Sequence, residues 1–134
     1  VRRVLGSLSP TRLGHGVRAV EDPALLAELV ERGVAFEVCP TSNVHLGVYE
    51  GLADVPLRRL VDAGATVALG ADDPLLFFSR LTDQYEVART VHGFTDAELA
   101  DLARSSIRAS FASESDKQRW LYEIDTWLTT YPTP

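Results

Sequence analysis

Thr66-Val67-Ala68-Leu69-Gly70-Ala71-Asp72-Asp73-Pro74 is a short apolar run that climbs to a glycine and stops at two adjacent carboxylates and a proline. Proline lacks a backbone N–H and pushes the residue before it out of the helical region, so a strand through Thr66–Leu69 must end at this corner. Two carboxylates at the end of a buried strand are costly unless a cation lies beside them. A metal ion is the simplest such cation. The plainer use is an N-cap, because aspartate readily caps a following helix. On this stretch alone both readings stand.

Working outward, the same design recurs twice upstream. Leu13-Gly14-His15-Gly16-Val17 reads as a very short strand ending in a histidine between glycines. Val34-Ala35-Phe36-Glu37-Val38-Cys39 is a second strand closed by Pro40, with Thr41 to His45 read as a polar loop. Between the strands lie helices. Asp22-Pro23 supplies an N-cap and a first-position proline, Leu25, Leu26, Leu29 and Val30 recur at helical spacing, and Gly33 stops the run. Pro56 opens the next helix, with Leu57, Leu60 and Val61 as its stripe and Gly64 at its end.

After the paired aspartates the chain reads as helices only. Leu81–Val91 ends at His92-Gly93. Thr95 and Glu98 form a capping box for a helix carrying Leu99, Leu102, Ala103, Ile107 and Phe111. Ser113 caps a last amphipathic helix whose inward face is expected to be Trp120, Leu121, Ile124, Trp127 and Leu128, and Tyr131–Pro134 reads as a frayed tail. Val1–Leu8 reads as the closing turns of a preceding helix.

Alternating strands and helices argue a parallel α/β sheet. Each strand carries its polar residues at its C-terminal end: His15, then Cys39 to Asn43, then Asp72 and Asp73. That is the face on which a (β/α)8 barrel builds its active site, but such a barrel takes about 250 residues and eight strands. This chain has 134 residues, begins with Val1 and contains no methionine. The expectation is therefore a single partial domain over residues 1–134, the C-terminal portion of a (β/α)8 barrel comprising its last three β/α units, with residues 95–130 as a terminal helical segment.

Composition narrows the function. A hydrophobic content of 46% and a charged content of 24% are those of a globular protein, and a net charge of −6 argues against nucleic-acid and acidic-membrane partners. One cysteine excludes an intrachain disulfide and fits a reducing, cytoplasmic setting, and no apolar run reaches the ~20 residues that cross a bilayer.

Among the candidate side chains, His15 is either a packed histidine or one that orients a metal-held water. Cys39 reads as a small buried residue. Ser42 and Asn43 read as satisfying backbone groups of their loop. His45 reads as a loop residue, and His92 as a cation favoured at a helix C-terminus. Asp72 and Asp73 point in different directions at a strand end, so one can hold a metal while the other accepts from a protonated substrate nitrogen. A catalytic zinc takes about three protein ligands, more than this chain offers.

Taken together, Arg12-Leu13-Gly14-His15-Gly16-Val17-Arg18-Ala19, Glu37-Val38-Cys39-Pro40-Thr41-Ser42-Asn43 and Asp72-Asp73-Pro74-Leu75 resemble the adenosine deaminase family. Ser106-Ile107-Arg108-Ala109-Ser110-Phe111 is similar to that family's C-terminal helical segment. The resemblance implies zinc-dependent hydrolytic deamination of a 6-aminopurine nucleoside, adenosine to inosine plus ammonia, with one zinc ion per intact site. It implies Asp72 as a zinc ligand, Asp73 as the partner of purine N7, and His15 as the residue that positions the attacking hydroxide. The family's other zinc histidines and its catalytic glutamate have no counterpart here, so the missing N-terminal half of the barrel is an expected partner and the isolated chain is expected to be inactive. Gly70-Ala71 stand where the family often has Thr or Ser. Relatives with similar motifs act on adenine or 6-aminodeoxyfutalosine, which are carried as alternatives, as is a non-catalytic half-barrel that needs a partner chain.

Overall fold

Leu13, Phe36 and Val67 stand in one row across three parallel strands. The strands are β1 (Arg12–Gly14), β2 (Ala35–Val38) and β3 (Val67–Leu69), in the order β1-β2-β3. The computed structural model describes residues 1–130; the expected tail, Tyr131–Pro134, lies outside the described residues. Successive strand side chains alternate between the two faces. One face carries Leu13, Phe36, Val38, Val67 and Leu69 into the apolar core, and the other carries Arg12, Gly14, Ala35, Glu37 and Ala68. Arg12 Nε donates to Glu37 Oε1 at 2.7 Å on that second face.

The helices are α1 (Arg2–Ser7), α2 (Pro23–Glu31), α3 (Pro40–His45), α4 (Leu57–Asp62), α5 (Pro74–Phe77), α6 (Leu81–Thr90), α7 (Asp96–Arg108) and α8 (Glu114–Thr130). The predicted starts of α2 and α7 are confirmed in atomic detail. Asp22 accepts from the Leu25 N–H, and Thr95 and Glu98 make their reciprocal box. Phe36, Leu29, Leu57 and Leu60 are fully buried where α2, α4 and α7 cover the sheet. Complete burial of a side chain of this size contributes about 1.5–3 kcal/mol. Among the described residues, no helix is long and apolar enough to cross a membrane.

Three expectations are corrected. Thr41–His45 is not a loop but most of the short helix α3. Phe111 lies beyond the end of α7, is exposed, and sits 5.8 Å from the Arg12 guanidinium instead of continuing the apolar stripe. The face predicted for α8 turns toward α7 but is only half-covered: no residue of α8 is buried, and Trp127 is exposed.

His92 also departs from its reading as a favoured cation. Arg58 reaches from α4 across Phe94, 3.6 Å from the ring, to pair with Glu98 at 2.5 Å and donate to the His92 carbonyl. Burial, and then the Arg58 charge, push the His92 imidazole below its ordinary value, and its Nε2 is buried without a partner among the described residues. The sign of the linkage follows. An unfolded chain takes up this proton near the ordinary value of 6.5, before the folded chain does, so stability present above that pH is lost as pH falls. Urea midpoints are expected to drop between pH 7.5 and 5.5, and the drop should shrink in His92→Gln.

Candidate active site

The polar residues at the C-terminal ends of the strands converge. The His15 N–H donates to the Glu37 carbonyl at 2.9 Å, extending the ladder one residue past Gly14. The chain then turns through left-handed backbone at His15 (φ 54) and Gly16 (φ 66). A Cβ at Gly16 would meet Phe36 Cδ1 at 2.9 Å, so glycine is required both for the turn and for the packing of Phe36 beneath it. Asp72 is left-handed as well, at φ 61. Such a conformation is sterically unfavourable for a residue with a Cβ and persists where its surroundings over-determine it, which happens often at functional sites.

These two turns aim His15 and Asp72 at each other. His15 Nε2 lies 3.4 Å from Asp72 Oδ2, with both side chains about one-third exposed (38% and 32%). Ser42 Oγ donates to Asp72 Oδ2 at 2.6 Å, and His15 Nδ1 donates to Asn43 Oδ1 at 2.9 Å. Ser42 and Asn43 are fully buried, and Asn43 Nδ2 has no partner among the described residues. The expectation that these two residues serve their own loop is corrected: each holds one member of the His15–Asp72 pair. Their presence in Thr41-Ser42-Asn43 at a strand end was the available signal, but only their helical placement turns both side chains toward the site.

The paired aspartates turn to different partners. Asp73 Oδ1 accepts from the N–H groups of Leu75 and Leu76, both at 3.0 Å, and so caps α5. Asp72 faces His15. Cys39 completes a group in which one ligand atom each from His15, Cys39 and Asp72 lie within 4.8 Å of one another, and Asp73 is not part of it. Burial first, and the Asp72 charge second, push the Cys39 thiol up to about 11, so it is protonated at neutral pH. A Cβ at position 70 would approach Cys39 Sγ to 3.2 Å, which accounts for the glycine before the corner.

The electrostatics of the pair fit a cation. Asn43 Oδ1 can only accept, so the imidazole carries a proton on Nδ1, and in the neutral ring this turns the Nε2 lone pair toward a carboxylate oxygen. Two acceptors facing each other at this distance repel unless a proton or metal ion lies close to both. A buried hydroxyl orienting a carboxylate, and a carbonyl orienting a histidine, are the supports that metal ligands commonly have.

The adenosine deaminase family model matches residues 1–127. The chain belongs to the adenosine deaminase family. A Streptomyces coelicolor protein whose name gives it as an adenosine/adenine deaminase is 62% identical over 128 residues, covering 96% of this chain and 37% of that protein. The structure of an adenine deaminase from Arthrobacter aurescens superposes with a TM-score of 0.91 at 38% identity, over 96% of this chain and 39% of the other. An amidohydrolase from Burkholderia ambifaria, solved with bound Zn, superposes with a TM-score of 0.82 at 26% identity, covering 96% of this chain and 37% of that one. The chain thus spans less than two-fifths of the length of these relatives. Its α/β fold is that of the C-terminal portion of a (β/α)8 barrel, with three β/α units and the helices that follow them. The family includes metal-holding members.

Proposed function

We propose that this chain forms one wall of the active site of a zinc-dependent deaminase that hydrolyses the exocyclic amine of a 6-aminopurine. In this reading residues 1–134 are a single partial domain that works within a longer, cytoplasmic polypeptide supplying the rest of the barrel. The observation that carries it is the His15–Asp72 pair, held by Asn43 and Ser42 at the strand ends of a deaminase-family fold. Free adenine is the preferred substrate, because the adenine deaminase from Arthrobacter aurescens superposes so closely. Adenosine stands second, because the 62%-identical Streptomyces coelicolor protein bears both names.

The residues divide the work as follows. Asp72 holds the metal through its carboxylate, with Ser42 fixing the orientation of Oδ2. One zinc ion, when bound, makes water a usable nucleophile near neutral pH. His15 Nε2, left as an acceptor by the Nδ1–Asn43 bond, takes a hydrogen bond from the attacking water and holds it in place. Asp73 keeps Oδ1 on the α5 amides and offers its carboxylate to a protonated purine N7. Water adds at C6, the C–N bond breaks, and ammonia leaves to give the 6-oxopurine.

The test is ammonia release by the longer polypeptide from adenine, adenosine, deoxyadenosine and 6-aminodeoxyfutalosine, run beside the 134-residue chain. Turnover of adenine by the longer polypeptide is expected, with adenosine slower and no measurable turnover by the chain alone. Deamination and stoichiometric zinc retention by the isolated chain would overturn the shared-site reading. A longer polypeptide inert on all four purines would favour a non-catalytic half-barrel.

A further inference from the structure

Helix α3 carries the two residues that hold the candidate site, yet it is poorly equipped to hold itself. It is six residues long, Cys39 at its N-cap makes no side-chain capping bond, and Pro40 has no N–H to bond. The first amide that needs a partner is that of Thr41. Its partner comes from another element: Gln84, in the first turn of α6, accepts from the Thr41 N–H through Oε1 at 3.1 Å. The Gln84 side chain is fully buried, and its Nε2 donates to Thr41 Oγ1 at 2.9 Å and to Ser79 Oγ at 2.5 Å. A buried amide is costly unless its bonds are made. Here all of them are directed at Thr41 and at the loop entering α6. Thr41 immediately precedes Ser42 and Asn43.

We infer that Gln84 is a positioning residue: by capping α3 from a distance, it holds Ser42 against Asp72 and Asn43 against His15. The inference rests on the metal-dependent reading above for its consequence in metal retention, but not for its consequence at the His15 ring. Without the Gln84 cap, the first turn of α3 loses its only long-range amide partner among the described bonds. Asn43 then no longer selects one imidazole tautomer, and Ser42 no longer fixes the Asp72 carboxylate.

The experiment compares Gln84→Met, Gln84→Glu and Thr41→Val in the longer polypeptide. Zinc retention is read by chelator competition, the His15 tautomer by 15N NMR of metal-free protein, and folding by thermal melting. Gln84→Met fills the same space without the acceptor and is expected to weaken zinc retention roughly tenfold, the lower end of what loss of a ligand's support does. It should also turn a single Nδ1–H signal into a mixture. Gln84→Glu keeps an acceptor for the Thr41 N–H and both hydroxyls, and should weaken zinc retention less than Gln84→Met does, its cost being that of a buried carboxylate. Thr41→Val keeps the N–H and removes the hydroxyl, and should shift both readouts in the Gln84→Met direction by a smaller amount.

A lower melting temperature in Gln84→Met with parental zinc retention and a parental His15 signal would reduce Gln84 to a packing residue. Folded Thr41→Val with parental readouts would overturn the inference even where Gln84→Met does not fold. A parent that retains no zinc counts against the metal-dependent reading, and the His15 ring signal of metal-free protein then judges Gln84 separately.

Discussion

Asp72→Asn in the longer polypeptide is expected to abolish zinc retention and turnover together while leaving the fold intact. Asparagine is the informative replacement, because position 72 is left-handed and asparagine tolerates that region better than alanine does. Its carbonyl oxygen still accepts from Ser42, so the hydrogen bond at 2.6 Å has a successor. What goes is the negative charge facing His15. Turnover should fall on the order of 10³-fold, corresponding to the several kcal/mol a metal ion contributes to stabilising developing charge. Asp72→Ala should behave alike, with an added loss of stability from the strained backbone. Full zinc occupancy in either folded variant, by elemental analysis after gel filtration, would remove Asp72 from the metal site.

Asp73→Asn is expected to separate substrate from metal. Asparagine caps helices about as well as aspartate, so the bonds from Leu75 and Leu76 are kept and α5 stays in place. Zinc retention should match the parent. The loss falls on the contact with a protonated ring nitrogen, and a hydrogen bond to a charged group is worth about 1.5–3 kcal/mol, or roughly 10- to 150-fold in kcat/KM. The check is the ratio of kcat/KM for adenine to that for a 7-deaza analogue, which lacks the nitrogen. That ratio should collapse in Asp73→Asn. If Asp73→Asn instead loses zinc as Asp72→Asn does, the two aspartates have been assigned the wrong way round.

The two aspartates also show where sequence reasoning reaches and where it stops. That a strand ends at Gly70 and that a carboxylate caps the next helix follow from local chemistry: a proline without an N–H, a short apolar run, and an oxygen two or three residues before free amides. Such interactions are written within a few residues, and for this reason the caps at Asp22 and Thr95 were equally legible. Which aspartate does which job does not follow from local chemistry and was assigned only through the family resemblance. Asp73 turns back to α5 while Asp72, through a left-handed φ, turns to His15, and that choice depends on partners contributed by β1 and α3.

Ser42, Asn43 and Gln84 make the same point at longer range. As sequence, Thr41-Ser42-Asn43 after a proline is a loop, because polar residues with competing side-chain bonds weaken a helix. As structure it is a helix, because a glutamine 43 residues further along supplies the cap that the local sequence lacks. His92 and Phe111 were misread for the corresponding reason: folding buried one, with Arg58 beside it, and gave the other an arginine partner off its helix.

The sequence by itself determined the order of the strands and of the longer helices, the parallel α/β class and the strand-end position of His15, Asp72 and Asp73, since periodicity, caps and prolines act locally. Only the tertiary structure decided that His15 faces Asp72 and that Ser42 and Asn43 hold them. The contacts among His15, Ser42, Asn43 and Asp72 join residues 28 or more positions apart, and their energies exist only once three strand ends lie side by side.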